Sequence, residues 1–296
     1  MFPKSSAALC GLAVALISLP ALASDVVFPG GGTLAQIIDG GGTNTIFTIA
    51  NLDATTIPYT LSFFDDAGNP LTLSTTAGPP SSSLSGTLAA NASLIIQTNG
   101  GGNTVLSGYA TLATNLFTVD PNSGSIITLG NQIAGSAVFG LPLPGVGFTQ
   151  ASVPLDTGFD SIISIPFDDS GDATSAVTGV ALVNSFFDAP YQFVTGGGDA
   201  TITVGFFGQN GLVPLPPITL KLGQHMSFLL DQKFPQLKGQ KGVVRFTGTA
   251  PGGILPYAFK VLGVRATATT YTSIAPLVPC NFKIDPQTSQ PEGCTN

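Results

Sequence analysis

The strongest constraint on the fold of this 296-residue chain is that its sequence phrases occur twice in the same order. Residues 60–68, TLSFFDDAG, match residues 203–211, TVGFFGQNG, and each half closes with a phrase that ends in Pro-Leu. The other matching pairs are 46–51 with 179–184, 87–88 with 219–220, 107–112 with 241–246, and 148–155 with 271–277. Repetition in constant order is typical of duplicated structural units. We therefore predict two related domains, residues 24–157 and residues 158–279.

Local patterns within each half predict β-strands. Short runs rich in Thr, Ile, Leu, Val and Phe are separated by clusters of Gly, Asn, Asp and Pro. In the first half these runs are 43–50, 59–64, 85–96 and 105–113. Helix signals are scarce, since the only Glu is Glu292 and only residues 231–237 could form a helical turn. The pattern predicts an all-β fold with two tandem immunoglobulin-like antiparallel β-sandwich domains.

The N-terminus has the pattern of a secretory signal peptide. Lys4 precedes an apolar run at residues 7–19, and Ala21-Leu22-Ala23 forms a cleavage motif of the A-x-A type. We therefore predict that residues 1–23 are a signal peptide and that the protein is extracellular or on the cell surface. No later run approaches the length of a membrane helix, so we expect no membrane span in the mature chain.

Two cysteines remain after the predicted cleavage, because Cys10 lies in the signal peptide. Cys280 and Cys294 flank a short proline-containing segment at the C-terminus. Exported compartments are oxidising, so an isolated pair favours a disulfide. We predict that residues 280–296 form a tail closed by this bond.

Charge is scarce and unevenly distributed. Only 8% of residues are charged, and the isoelectric point is near 4.3, which leaves no basic surface for nucleic acid. Residues 24–157 carry seven Asp and no Lys or Arg, whereas residues 158–279 carry seven Asp, five Lys and two Arg. The first half must therefore be stabilised by apolar burial and backbone hydrogen bonds.

Four triple-glycine runs resemble phosphate-binding loops only superficially. None is followed by the Gly-Lys-Ser/Thr sequence that a P-loop requires, so we predict flexible turns. The runs are at residues 30–32, 40–42, 100–102 and 196–198.

The chain lacks an obvious catalytic set. His225 is the only histidine, and there is no G-x-S-x-G motif. We therefore predict a protein that is not an enzyme. A hydrolase that uses His225 or a pair of aspartates is the alternative.

Asp160, Asp168, Asp169 and Asp172 form the densest acidic cluster. Oxygen-rich loops bind Ca²⁺, but this one departs from the EF-hand spacing and lacks its distal Glu. The interpretation is a solvated acidic turn, with a weak calcium site as the alternative. No other cofactor is expected.

Aromatic residues concentrate in one proline-interrupted stretch that contains Phe186, Phe187, Tyr191 and Phe193. Sugar-binding faces stack their ligands on exposed aromatic rings, so this stretch is a candidate glycan site. The other interpretation places these rings in the core or between the domains.

Several phrases resemble repeats in exported, largely uncharacterised tandem β-sandwich proteins of environmental bacteria. They are residues 63–71, 222–235, 261–265 and 271–276. The resemblance covers nearly all of residues 28–279 and implies the fold and export rather than an activity. The first half departs from the pattern because it lacks the His and Arg positions.

These observations favour a non-enzymatic exported protein that acts as a structural or adhesive surface component. Low charge and an apolar, Thr/Ser/Gly-rich exterior favour contact with identical copies, so the expected partner is the protein itself, in filaments or a surface layer, or another surface component. A carbohydrate-binding module is the second hypothesis, and a hydrolase is the third.

Overall fold

The structure, a computed structural model, confirms the all-β prediction. It describes residues 26–119, 126–128, 133–143, 147–169, 177–188, 198–208, 211–253, 255–267, 270–277, 282–284 and 291–294. Strands dominate these residues, and every paired ladder is antiparallel. The expected helical turn is present as α1, Leu230–Lys233, followed by a 3₁₀ turn at Pro235–Leu237.

The strands are numbered in chain order. Those of the first half are β1 Val26–Asp39, β2 Asn44–Asn51, β3 Ile57–Asp65, β4 Leu73–Thr75, β5 Gly78–Ser81, β6 Ser83–Leu88, β7 Ser93–Gln97, β8 Leu106–Val119, β9 Ile126–Thr128, β10 Ile133–Leu143 and β11 Gly147–Asp156. The remaining strands are β12 Ile162–Asp168, β13 Val177–Val183, β14 Ala200–Gly208, β15 Gly211–Leu220, β16 His225–Leu229, β17 Lys241–Thr249, β18 Lys260–Ala266, β19 Tyr271–Ile274, β20 Phe282–Ile284 and β21 Pro291–Cys294.

Both halves arrange equivalent strands in the same order. The second half has two four-stranded sheets, β12-β17-β14-β15 and β16-β13-β18-β19. The first half repeats these orders as β1-β8-β3-β6 and β7-β2-β10-β11. Its two layers join because β1 also pairs with β11 at Thr33 and Leu34, and Phe47 of β2 packs on Phe63 of β3 between the layers. The sequence repeat is thus a repeat of topology, while the domain boundaries stay a prediction.

The repeated asparagine has the same structural role in both halves. Asn51, at the end of β2, donates from Nδ2 to the carbonyl oxygen of Leu88 at 3.2 Å. Asn184, which follows β13, donates from Nδ2 to the carbonyl oxygen of Leu220 at 3.1 Å. Leu88 and Leu220 end equivalent strands, and both asparagines are buried. Each side chain therefore connects the two sheets of its own half.

The repeated glycine allows two strands to approach closely. A Cβ at Gly108 of β8 would overlap the carbonyl oxygen of Phe64, and one at Gly242 of β17 would overlap that of Phe207. Phe64 and Phe207 are equivalent residues in the repeated FF pair. The glycine recurs because the neighbouring backbone leaves no room for a side chain.

The layer formed by β16, β13, β18 and β19 packs on both of its faces. Val180 and Leu182 of β13 belong to the core of the second half. Ala181 and Val183 alternate with them and belong to the core of the first half, together with Leu262 of β18. Burial on both faces explains the nearly continuous apolar sequence of β13. Through this layer, the two halves share an interface of buried apolar side chains.

Two predictions from the sequence are wrong in detail. The run 85–96 contains two strands rather than one, because Asn91 has a φ of 55° and the amide of Ala92 donates to the carbonyl oxygen of Ala89 in a turn. The glycines at 30–32 lie inside β1 rather than in a turn. At Gly31 the φ is 128° and a Cβ would overlap the carbonyl oxygen of Leu112, so this strand irregularity requires glycine.

Candidate functional site

His225 joins the second half to the first. The ring is buried; its Nδ1 lies 2.7 Å from Oδ1 of Asp66, and its Nε2 lies 3.1 Å from Oε1 of Gln36. The backbone amide of His225 also donates to the carbonyl oxygen of Asp66 at 3.1 Å. The hydrogen bond and charge of His225 hold the pKa of Asp66 below its usual value. The histidine is thus part of a polar connection between the halves.

Aromatic rings surround this connection. Tyr109 stacks on His225 with ring centroids 6.5 Å apart and on Phe64 at 5.0 Å. Phe186 completes the group, 5.4 Å from Phe64. Burial raises the pKa of Tyr109. Because His225 and Gln36 are buried, their polar atoms depend on each other for hydrogen bonds, whereas the side chain of Asp66 is more than half exposed.

This geometry does not fit a catalytic histidine. A general base needs a ring nitrogen that accepts a proton from a nucleophile such as a hydroxyl, a thiol or a water, and the partners of His225 are a carboxylate oxygen and an amide oxygen. Both ring nitrogens of His225 are already hydrogen-bonded, and its side chain is 0% exposed. The hydrolase hypothesis thus finds no support in the surroundings of His225.

The second buried polar group of the interface is the side chain of Lys260. Its Nζ lies 3.3 Å from Oδ1 of Asp156, in the first half, and 3.3 Å from Oδ1 of Asp188, in the second. Nζ also donates to the carbonyl oxygen of Gly158 and lies 5.3 Å from the ring centre of Phe159. The sequence analysis missed this group. Its available signal was a lysine inside an apolar stretch, residues 257–262.

The predicted acidic cluster is divided in the structure. Asp168 pairs with Lys241 at 3.0 Å, and Asp169 is buried with its Oδ1 accepting from the amide of Thr178. Asp160 lies by Gly158, and Asp172 lies outside the described residues. Within the described residues, no three His, Cys, Asp or Glu side chains are grouped as metal ligands. The calcium site stays a prediction.

The candidate glycan site is also divided. Phe187 is buried, whereas Phe186 is 40% exposed and packs on Phe64 and over Gly223. Tyr191 and Phe193 lie outside the described residues. Phe186 thus contacts the first half through Phe64, and the glycan site stays a prediction.

The predicted disulfide falls at the edge of what the structure describes. Cys280 lies outside the described residues, as does the signal peptide, residues 1–23. Cys294 ends β21, which pairs with β20. The disulfide and the signal peptide therefore stay predictions.

An apolar cleft of about 350 Å³ lies between the halves. Its walls include Ile38 and Phe139 from the first half and Phe228, Val264 and Tyr271 from the second. The polar side chains on its walls are Ser107, Ser227, the phenol of Tyr271, and Gln36, which already hydrogen-bonds His225. The cleft offers no set of converging polar groups that would define a reaction.

The outer edges of the equivalent sheets differ. Strand β6 is the edge of its sheet, and no strand among the described residues pairs with its outer side. Its sequence, SLSGTL, contains no charge and no proline. The equivalent edge strand β15 contains Pro214, Pro216 and Pro217. Prolines and charges are the usual protection of edge strands, so β15 is protected and β6 is open.

Comparison with protein-family models, curated proteins and solved structures finds no match. The resemblance to exported tandem β-sandwich proteins therefore stays a prediction. No helix in the described part of the chain is long and apolar enough to span a membrane.

Proposed function

We propose that this protein is a non-enzymatic structural component of the cell surface or extracellular space, exported by its signal peptide, and that its copies associate through the open edge of β6. The open edge is the observation that carries the proposal. The sandwich architecture, the low charge and the structural use of His225 support it.

The backbone of β6 offers specific groups for pairing. The amide of Phe63 donates to the carbonyl oxygen of Ser82, so alternation along the ladder turns the backbone groups of Ser83, Ser85 and Thr87 outward. The Ser81 hydroxyl already hydrogen-bonds both backbone groups of Ser83. Ser85 and Thr87 remain to pair with a strand of another copy.

Other edges are better covered. The outer side of β7 is partly occupied by Thr76, whose amide donates to the carbonyl oxygen of Gln97 at 2.9 Å. The outer side of β12 receives the amide of Leu277 on the carbonyl oxygen of Ser164 at 2.7 Å. These contacts make β6 a more accessible template for strand addition than β7, β12 or the proline-rich β15.

The test is the assembly state of the purified mature chain over a wide concentration range, by sedimentation velocity and electron microscopy. We expect oligomers or fibres for the natural chain and their loss in Ser85→Pro, which removes an outward amide without breaking the ladder to β3. Leu212→Pro is the matched control, because Leu212 also turns its backbone groups outward but lies on the already blocked edge β15.

Circular dichroism and denaturation would establish that both variants are folded. A natural chain that stays monomeric at high concentration and forms no fibre contradicts the proposal. Equal loss of assembly in Ser85→Pro and Leu212→Pro contradicts the choice of β6.

A further inference from the structure

The buried lysine and aspartate at the junction are placed for a covalent bond. Lys260 and Asp188 have side chains that are 1% and 0% exposed, and Lys260 Nζ lies 3.3 Å from Asp188 Oδ1. Lys260 begins β18 opposite Val183 of β13, and Asp188 lies in the turn that follows β13, where its amide donates to the carbonyl oxygen of Ser185. Two backbone anchors therefore hold the reacting side chains together.

A third group can move the protons that such a reaction requires. Oδ1 of Asp156 lies 3.3 Å from Lys260 Nζ and accepts a hydrogen bond from the amide of Gly158 at 2.9 Å. The carbonyl oxygen of Gly158 also accepts from Nζ, which orients the nitrogen. The side chain of Asp156 is 33% exposed, so the site has a route to solvent by which water can leave.

Burial at this site disfavours the ionised carboxyl group of Asp188. Burial raises the pKa of Asp188 to about 6, although the charge of Lys260 opposes this. A buried ion pair gains little over an uncharged replacement, because both charges are removed from water. Transfer of one proton from the ammonium to the carboxylate gives a neutral amine beside a neutral carboxylic acid. Groups held in contact in this way react with an effective molarity far above that in solution.

We propose that Lys260 and Asp188 form an intramolecular amide bond, with Asp156 as the proton carrier. Lys260 Nζ attacks Cγ of the protonated Asp188 carboxyl group, and a C–N bond forms. Asp156 takes one proton from the nitrogen and delivers it to a departing hydroxyl group, so that a C–O bond breaks and one water leaves. The ammonium and the carboxylate become one neutral amide plus water, with no oxidation or reduction.

The bond would strengthen the layer that both halves share. It would tie the turn after β13 to the start of β18, within the sheet whose faces belong to the two cores. A covalent tie within the folded chain restricts the unfolded state in the way that a disulfide does. It does not depend on self-association and could occur in a monomer.

The experiment is intact-mass measurement of the purified full chain under denaturing conditions, beside Lys260→Arg prepared in the same way. Both share the same N-terminal processing, so their mass difference isolates the cross-link. We expect the natural chain to be lighter than its sequence by one water and Lys260→Arg to have its full mass. Fragmentation of the natural chain should yield a branched peptide that joins Lys260 to Asp188.

Asp188→Asn tests the chemistry itself. An asparagine at this position can form the same amide by losing ammonia, so this variant should be lighter than its sequence by one ammonia instead of one water. In Asp156→Ala, the linked fraction should fall at least tenfold at equal time after synthesis. Circular dichroism would show that each variant is folded.

The proposal is overturned if the folded natural chain has its full mass. It is also overturned if the water loss persists in Lys260→Arg, because the loss then comes from another site, such as a succinimide. A fully linked Asp156→Ala chain would overturn the role of Asp156 as the proton carrier.

Discussion

Strands β6 and β15 occupy the same place in the two halves but present different edges. Both pair on one side with the strand that carries the FF motif, β3 or β14. One is uncharged and free of proline, and the other carries three prolines. The comparison teaches that the two halves share the pairing of strands, which the core requires, while their outer edges differ.

Hydrogen bonds within each half are repeated, whereas the contacts between the halves are not. Asn51 and Asn184 make equivalent hydrogen bonds inside their own halves. His225, by contrast, is aligned by strand register with Ser93, which is exposed and has no equivalent role. The repeat therefore predicts internal contacts, and the pairs of equivalent residues make direct tests of it.

The largest effect is expected for the two equivalent glycines. In Gly108→Ala and Gly242→Ala the new methyl group would overlap a backbone carbonyl oxygen, so each variant should lose about 3–5 kcal/mol in the free energy of unfolding. Gly108→Ala should be the more severe because its overlap is deeper. Urea denaturation would measure both. A loss in one half only would break the equivalence of the two positions.

Replacing His225 by serine, the residue at the equivalent position Ser93 of the first half, should have the next largest effect on stability. His225→Ser removes both ring hydrogen bonds, leaves Oε1 of the buried Gln36 without its donor and opens a cavity at the interface, so we expect a loss of about 2–4 kcal/mol. Ser93→Ala is the control and should change stability by less than about 0.5 kcal/mol. Equal losses in the two variants would show that His225 does not connect the halves.

The buried carboxyl group of Asp169 should make stability depend on pH. Burial raises its pKa from 3.8 to about 6, so the folded state binds a proton more tightly than the unfolded state. Stability should therefore fall as the pH rises from about 4 to about 6, by about 2–3 kcal/mol in total. Asp169→Asn keeps an oxygen for the amide of Thr178 and should remove this loss.

The measurement is denaturation of the natural chain and Asp169→Asn at a series of pH values. The variant should be the more stable above pH 6, and the difference should disappear below about pH 4, where the natural carboxyl group is protonated in both states. A stability difference between the two chains that stays constant across the pH series would come from packing rather than from titration of Asp169.

The smallest effects are expected for the two asparagines. Asn51→Ala should lose about 2 kcal/mol and Asn184→Ala about 1–2 kcal/mol, because buried carbonyl oxygens lose their donor. Nδ2 of Asn184 also donates to the carbonyl oxygen of Gly198. Asn51 should still matter more, since its Nδ2 donates to the carbonyl oxygens of Thr55, Leu88 and Ala89 and its Oδ1 accepts from the amide of Asp53. Thermal denaturation would compare them. The reverse order would show that surrounding packing, rather than these bonds, decides the cost.

Much of the fold was accessible from local sequence patterns. Runs of β-branched residues predict β2 and β3 within two residues of their observed bounds, and the helical turn lies where residues 231–237 allowed one. The start of β8 is also predicted, but this strand continues to Val119, beyond the predicted end at residue 113. The errors came from glycine and asparagine, whose backbone conformation depends on the segments that pack beside them. Gly31 is in a strand because the backbone of Leu112 approaches it, and no local pattern reports that approach.

The candidate sites were much less accessible. Lys260 and Asp188 are far apart in the chain and meet because β13 pairs with β18, and the packing of the first half on the second adds Asp156. The packing of the two halves also places His225 against Asp66 and Gln36, so that both of its ring nitrogens are hydrogen-bonded. A histidine in the sequence alone is equally compatible with a base, a ligand or a structural link.

The sequence by itself determined the all-β class and the order of equivalent segments, because strand periodicity, turn residues and repetition are properties of neighbouring residues. Tertiary structure alone decided which layer is buried on both faces, which edge is open and which charges meet. These features depend on contacts between segments distant in sequence, whose burial changes the free energy of a charge or an unpaired backbone group far more than any local preference does.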